Sequence, residues 1–123
     1  MILVDTSVWI DHLSRKEAIL AGALESGQVL MHPFVLGEIA CGSLANRHQV
    51  LRLLANLPTA PKATEEEVLD FIERHSLMGT GIGYIDVHLL AATASSGNAR
   101  LWTRDKRLAG VALTLQLAWP SPH

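Results

Sequence analysis

The sequence predicts an α/β fold: one domain spanning residues 1–123, with a central parallel sheet of about five strands and helices on both faces. Three observations lead there. Short apolar runs such as Ile2-Leu3-Val4 alternate with longer stretches of helical period, the pattern of strand–helix–strand units. Apolar residues make up 49% of the 123 and charged residues 18%, so the chain packs a core, and disorder and low complexity are excluded. No internal repeat and no linker breaks the pattern, and crossovers between parallel strands are right-handed almost without exception.

Each element has its own reason. Met1 to Val4 reads as a buried strand that stops at Asp5. Trp9, Ile10 and Leu13 then recur at helical spacing behind the capping types Asp5, Thr6 and Ser7. Glu17 to Leu24 forms a second helical piece, closed by Gly27. Val29 to Met31 is the next strand, and Pro33 suits the first turn of a helix carrying Val35, Leu36, Glu38, Ile39 and Ala40. Asn46 to Leu57 aligns Val50, Leu51, Leu53, Leu54 and Leu57 on one face ahead of Pro58. A weak strand is expected near Pro61 to Ala63. Thr64 with Glu67 makes a capping box for a helix through Val68, Leu69 and Ile72, and the acids Glu65 to Glu67 complement its dipole. Gly79 to Gly83 is a loop, followed by a strongly apolar helix from Tyr84 to Ser95. Ala99 to Trp102 reads as a strand, Asp105 to Leu108 as a helical turn and Val111 to Leu115 as the last strand.

Composition narrows the function classes. The single Cys41 has no partner within the chain, which suits a reducing cytosol and excludes four-cysteine zinc sites and thioredoxin-type pairs. The opening MILVDTSVWID has no basic region and meets an acid at Asp5, so no secretory signal is expected. No run approaches the ~20 apolar residues of a bilayer span, so the expected protein is soluble and cytoplasmic. The net charge of −2 does not by itself advertise a nucleic-acid binder.

In open α/β sheets the functional crevice lies outside the carboxyl ends of the strands. Four carboxylates fall at such places: Asp5 ends the first strand, Glu38 sits in the helix after the second, Asp86 in the helix leading to the next, and Asp105 three residues past Trp102. Taken singly, Asp5 suits an N-cap and Asp105 a cap or surface ion pair. Glu38 and Asp86 lie in the apolar segments FVLGEIA and GYIDVHLLAA, where a charge is costly to bury unpartnered, and no Lys or Arg stands at helical spacing from either. A bound cation is the simplest remaining partner, with an arginine distant in sequence as the other, and four oxygen donors with no His/Cys cluster favour a hard ion, Mg²⁺ or Mn²⁺, over zinc.

MILVDTS, PFVLGEIACG, GYIDVHLLAAT and LWTRDKRL, in that order across nearly the whole chain, resemble the PIN-domain ribonucleases, and most closely the VapC toxins of type II toxin–antitoxin pairs. The resemblance implies a PIN-like domain in which Asp5, Glu38, Asp86 and Asp105 bind one or two divalent cations and hydrolyse RNA. It maps supporting polar positions onto Thr6, Ser7 (where many relatives carry Asn) and Thr103. It also implies a cognate VapB-like antitoxin and a homodimer, and the apolar helices near Trp9 to Leu24 and Val50 to Leu57 are candidate surfaces for these contacts. Such hydrolysis uses an activated water and relief of charge on the departing oxygen, both within the reach of divalent ions.

Setting those acids aside leaves 10 basic against 8 acidic residues, and five of the eight lie in the one helix from Glu65 to Glu73. Arg104, Lys106 and Arg107 flank Asp105 as candidate contacts to RNA phosphates. Other features are set aside. Gly79-Thr80-Gly81-Ile82-Gly83 lacks the third glycine of a dinucleotide loop, since Tyr84 stands there. Cys41 reads as a buried apolar residue, His88 as pointing away from Asp86, Trp9 and Trp102 as core, and Trp119 as packing on a sheet edge or a partner. A receiver-like phosphoacceptor domain is the first alternative, but Lys62-Ala63-Thr64 and Ala118-Trp119 lack the Asp and Lys it needs. The second is a catalytically silent PIN-fold binding module, against which the intact acids count.

Overall fold

Ile2, Leu3 and Val4 form strand β1 (Ile2–Val4) at the centre of the sheet in the computed structural model, which describes residues 1–121. Successive strand residues point to opposite faces, and Leu3 and Val4 are both 0% exposed, so both faces are covered. β1 pairs in parallel with β2 (Val29–Leu30) on one side and β3 (Arg100–Trp102) on the other, giving the order β2-β1-β3. Three strands make the ladder, rather than about five. Each outer edge is extended by a single parallel bridge, Met31 to Thr59 beyond β2 and Leu101 to Ala118 beyond β3.

α1 (Thr6–Ser14) and α2 (Ala18–Glu25) connect β1 to β2, and α3 (Pro33–Ala40) and α4 (Arg47–Ala55) lead on to the Thr59 bridge. α5 (Glu65–Arg74) and α6 (Tyr84–Ser96) carry the chain back across to β3, and α7 (Lys106–Thr114) follows. With right-handed crossovers, that reversal puts α1 to α4 on one face and α5 to α7 on the other. The packing agrees: α1 lies on α3 and α3 on α4, while α5 lies on α6. Among the described residues no helix is long and apolar enough to cross a membrane.

The local signals that bound the helices are visible as bonds. Thr64 and Glu67 close the expected capping box, each side chain bonded to the other's backbone N–H. Gly27 adopts φ +68 one residue past the end cap of α2, a conformation that costs glycine little. Trp9, Leu20, Leu89, Leu90 and Leu101 are fully buried, each contributing about 2 kcal/mol of apolar transfer. Trp102 is also core, and Trp119 stacks on it at 4.5 Å along the Ala118 edge.

Three expectations are corrected. Val111 to Thr114 is helix, the second half of α7 with Leu115 as its C-cap, because Leu108, Val111, Ala112 and Leu115 recur at helical spacing while Leu113 is exposed. The weak strand falls at Thr59, not at 61–63: the bridge uses the Pro58 carbonyl and the Ala60 N–H, while Pro61 has no N–H to donate. Cys41 is exposed, because it caps the end of α3 instead of continuing its buried stripe.

Candidate functional site

The chain leaves β1 toward one side and returns to β3 on the other, so the carboxyl ends of these two neighbours flank a topological switch point. Asp5 follows β1 directly, and Thr103, Arg104 and Asp105 follow β3. Asp5 is 7% exposed. It holds the N-cap position of α1 yet makes no side-chain cap bond. Its Oδ2 instead accepts from the hydroxyls of Ser7 at 2.9 Å and Thr103 at 2.7 Å. Each hydroxyl has one proton, and each in turn accepts a backbone N–H, Arg104 onto Ser7 at 3.0 Å and Asp105 onto Thr103 at 3.1 Å. Both protons are therefore committed to one carboxylate oxygen.

The other acids repeat this economy. Asp86, half-buried in the first turn of α6, accepts from the Gly83 N–H at 3.0 Å through Oδ2. Asp105 caps α7, its Oδ1 accepting from the Leu108 N–H at 3.0 Å. Glu38 accepts from the Thr6 hydroxyl at 2.8 Å through Oε1. Among the described residues, each of the four carboxylates thus has one oxygen held by a protein donor and one without a protein hydrogen bond. None of them forms an ion pair.

Burial raises the pKa of Asp86 above the ordinary carboxylate value. The Gly83 N–H opposes that rise, and the negative charges of Asp5 and Asp105 add to it. These three acids therefore share a field. Glu38 joins through Thr6, the neighbour of Asp5, and the sequence argument for it is corrected: Glu38 is exposed on α3, not buried among its apolar neighbours. Among the described residues no three His, Cys, Asp or Glu side chains are drawn together closely enough to hold an ion as they stand. Mg²⁺ does not demand three, since it keeps several waters and takes one or two carboxylates. Hard oxygen donors, unpaired and each with one oxygen free of a protein donor, fit such an ion.

The basic residues divide. Arg104 does not stand free for phosphate: its guanidinium binds Asp11 of α1 and, at 2.7 Å, Glu17 at the head of α2. Its bonds hold the Glu17 carboxyl below the usual range, and the two acids raise its own pKa. Arg107 lies over the loop before α6, where a Cβ on Gly81 would stand 3.0 Å from its side chain. With φ +86 as well, Gly81 is required at that approach. Lys106 is exposed and forms no ion pair among the described residues. Sequence reasoning assigned Asp11 and Glu17 no role, and no local signal could have done so, because their partner lies 93 and 87 residues away. His88 is 2% exposed and packs on Phe34 and Tyr84, on the face of α6 turned from Asp86.

A family model described as PIN domain matches residues 2–113. The chain is 48% identical over 124 residues to Ribonuclease VapC32 of Mycobacterium tuberculosis strain CDC 1551 / Oshkosh, covering 96% of this chain and 100% of the relative. The same figures hold for Ribonuclease VapC32 of strain ATCC 25618 / H37Rv.

Proposed function

The chain belongs to the PIN-domain family, and from that premise we propose that it is a VapC-type ribonuclease, the toxin of a toxin–antitoxin pair, hydrolysing RNA phosphodiester bonds at the crevice of Asp5, Glu38, Asp86 and Asp105. One observation carries the site: four acids at one end of the sheet, none with a cationic partner among the described residues, each tied there by one oxygen only. Asp5, Asp86 and Asp105 would hold Mg²⁺ or Mn²⁺, with Glu38 as a further ligand or as the group that orients water. Bound there, a divalent cation lowers the pKa of water and offsets charge on the departing oxygen.

The chain's own groups prepare this. Ser7 and Thr103 fix the rotamer of Asp5 by holding Oδ2, which leaves Oδ1 for the crevice. Thr6 does the same for Glu38 through Oε1. Lys106, exposed at the start of α7, suits a phosphate of the bound strand, and Arg107 suits a second if it lifts from Gly81.

VapC toxins pair with VapB antitoxins, and a partner segment of apolar character suits the groove lined by Ile10, Leu13, Ile39, Leu44 and Val50, which Glu38 borders. Ile19 and Leu53, 58% and 62% exposed on α2 and α4, are apolar contacts open to an antitoxin or a second copy in a homodimer. Residues 1–123 act as one PIN domain in the cytoplasm, where the exposed thiol of Cys41 stays reduced.

Incubating the purified chain with labelled RNA tests the reading. Cleavage with Mg²⁺ or Mn²⁺, abolished by chelator and restored by the ion, is expected. Cleavage undiminished in chelator would refute the metal site, and intact RNA under every divalent condition would leave a silent binding module.

A further inference from the structure

The segment Thr103-Arg104-Asp105 carries two polar groups of the crevice, yet β3 ends before it and α7 begins after it. No ladder holds it. Among the described residues the N–H groups of Arg104 and Asp105 are tied only through crevice hydroxyls, Arg104 to Ser7 and Asp105 to Thr103, both of which donate to Asp5, while the Asp105 carbonyl accepts the Ala109 N–H of α7. The Arg104 side chain supplies the anchor from outside. It binds Asp11 of α1 and Glu17 at the head of α2, which follow Asp5 in the chain, and lies 5.9 Å from the centre of the Trp102 ring. A planar fork bound by two carboxylates and laid against an aromatic ring has little freedom to swing toward a substrate phosphate.

We propose that Arg104 is a positioning residue: clasped by Asp11 and Glu17, it locks the 103–105 segment so that Thr103 and Asp105 keep their places against Asp5. The proposal rests on the ribonuclease reading and departs from the phosphate-binding role that its place beside Asp105 suggests. The clasp ties the carboxyl end of β3 to α1 and α2, elements that the sheet ladder alone does not join to it. Polar groups that orient metal ligands are worth 10–100-fold in affinity or activity when removed.

Two variants separate the alternatives. Arg104→Gln removes the cation, while the double variant Asp11→Ala with Glu17→Ala removes both acceptors of the clasp and leaves Arg104 intact. If Arg104 positions the segment, both lower kcat about 10–100-fold and weaken Mn²⁺ binding in calorimetry. Both leave KM for RNA and its salt dependence unchanged, and combining them adds little. Hydrogen exchange at the Arg104 and Asp105 amides speeds up in both, and Arg104→Lys, lacking the fork, restores only part. If Arg104 instead bound phosphate, Arg104→Gln would weaken RNA binding and reduce its salt slope by about one, while the clasp variant would bind as well or better. That outcome overturns the proposal, as does unchanged exchange at both amides. A wild-type chain that cleaves no RNA would remove the ribonuclease reading, and the exchange measurement would still decide whether the clasp locks the segment.

Discussion

His32 should make this protein sensitive to mild acid. It occupies the N-cap of α3, 0% exposed, and its Nδ1 accepts the Phe34 N–H at 3.0 Å. The neutral ring therefore carries its proton on Nε2, which is buried without a partner. Burial, reinforced by the positive charges of His88 and Lys62, pushes its pKa down from 6.5 to about 4. The unfolded chain takes up this proton near pH 6.5 and the native state only near 4, so stability is intact above the higher value and is lost as pH falls between them. A drop of that size is worth about 3 kcal/mol. The cavity beside Phe34 and Tyr84 opens this neighbourhood to solvent, whose screening leaves an expected loss of about 2 kcal/mol. Urea unfolding from pH 7.5 down to pH 4 measures it. His32→Asn provides the comparison, because Asn caps a helix equally well and does not titrate. The variant pays a constant packing cost, so its deficit against wild type should shrink by about 2 kcal/mol across the window. Parallel stability curves for the two proteins would refute the assignment.

The crevice makes further predictions. Asp5→Asn should abolish cleavage while changing metal-free stability by no more than about 1 kcal/mol, since weaker bonds from Ser7 and Thr103 are offset by relief of repulsion with Asp86 and Asp105; an unfolded variant would refute this. Glu38→Gln keeps the Thr6 bond and should cost at least about 100-fold in kcat with antitoxin binding retained; wild-type cleavage rates would remove Glu38 from the site. Because the pKa of Asp86 is raised, the native state holds that proton more tightly than the unfolded chain, so its charge destabilises the metal-free protein as pH rises through the raised value. Asp86→Asn should then be the more stable protein at neutral pH without metal, with an advantage that fades on acidification; a constant difference in urea unfolding would contradict it. Millimolar Mg²⁺ or Mn²⁺ should raise the melting temperature of wild type and raise that of Asp86→Asn less, and equal shifts would place the ion elsewhere.

The fold was legible wherever one local pattern had one reading. The run before Asp5, the Thr64–Glu67 capping box, Gly27 behind α2 and the apolar α6 helix stand where the sequence puts them. Ambiguity entered with short apolar runs. VALTL at 111–115 satisfies a strand by composition and a helix by period, and only the burial of Leu108 and Ala112, one helical turn apart, decides for the helix. Likewise nothing in Thr59 or Ala118 marks a strand. Each is held by one bridge to a neighbour already in the sheet, a tertiary cause that no window of sequence contains.

The site divides along the same line. The positions of Asp5, Asp86 and Asp105 at strand ends and first turns, and of Glu38 in the helix after β2, follow from element order, which the sequence carries. What each acid does with its two oxygens does not. By sequence Asp105 suits either a cap or a crevice group; it caps α7 by accepting the Leu108 N–H, which occupies Oδ1 and leaves Oδ2 without a protein donor among the described residues. Asp5 suits a cap by sequence as well, but the hydroxyls of Ser7 and Thr103 take its Oδ2, and one of these comes from the far end of the chain. Arg104 read as a free cation because its charge sits in a basic turn. Its partners arrive from α1 and the head of α2 only once β1 and β3 are paired. The strand pairing that brings Asp5 to Thr103 also brings Asp11 and Glu17 to Arg104. A loss of that clasp should therefore be felt first at Asp5 and Asp105, before any effect on the sheet.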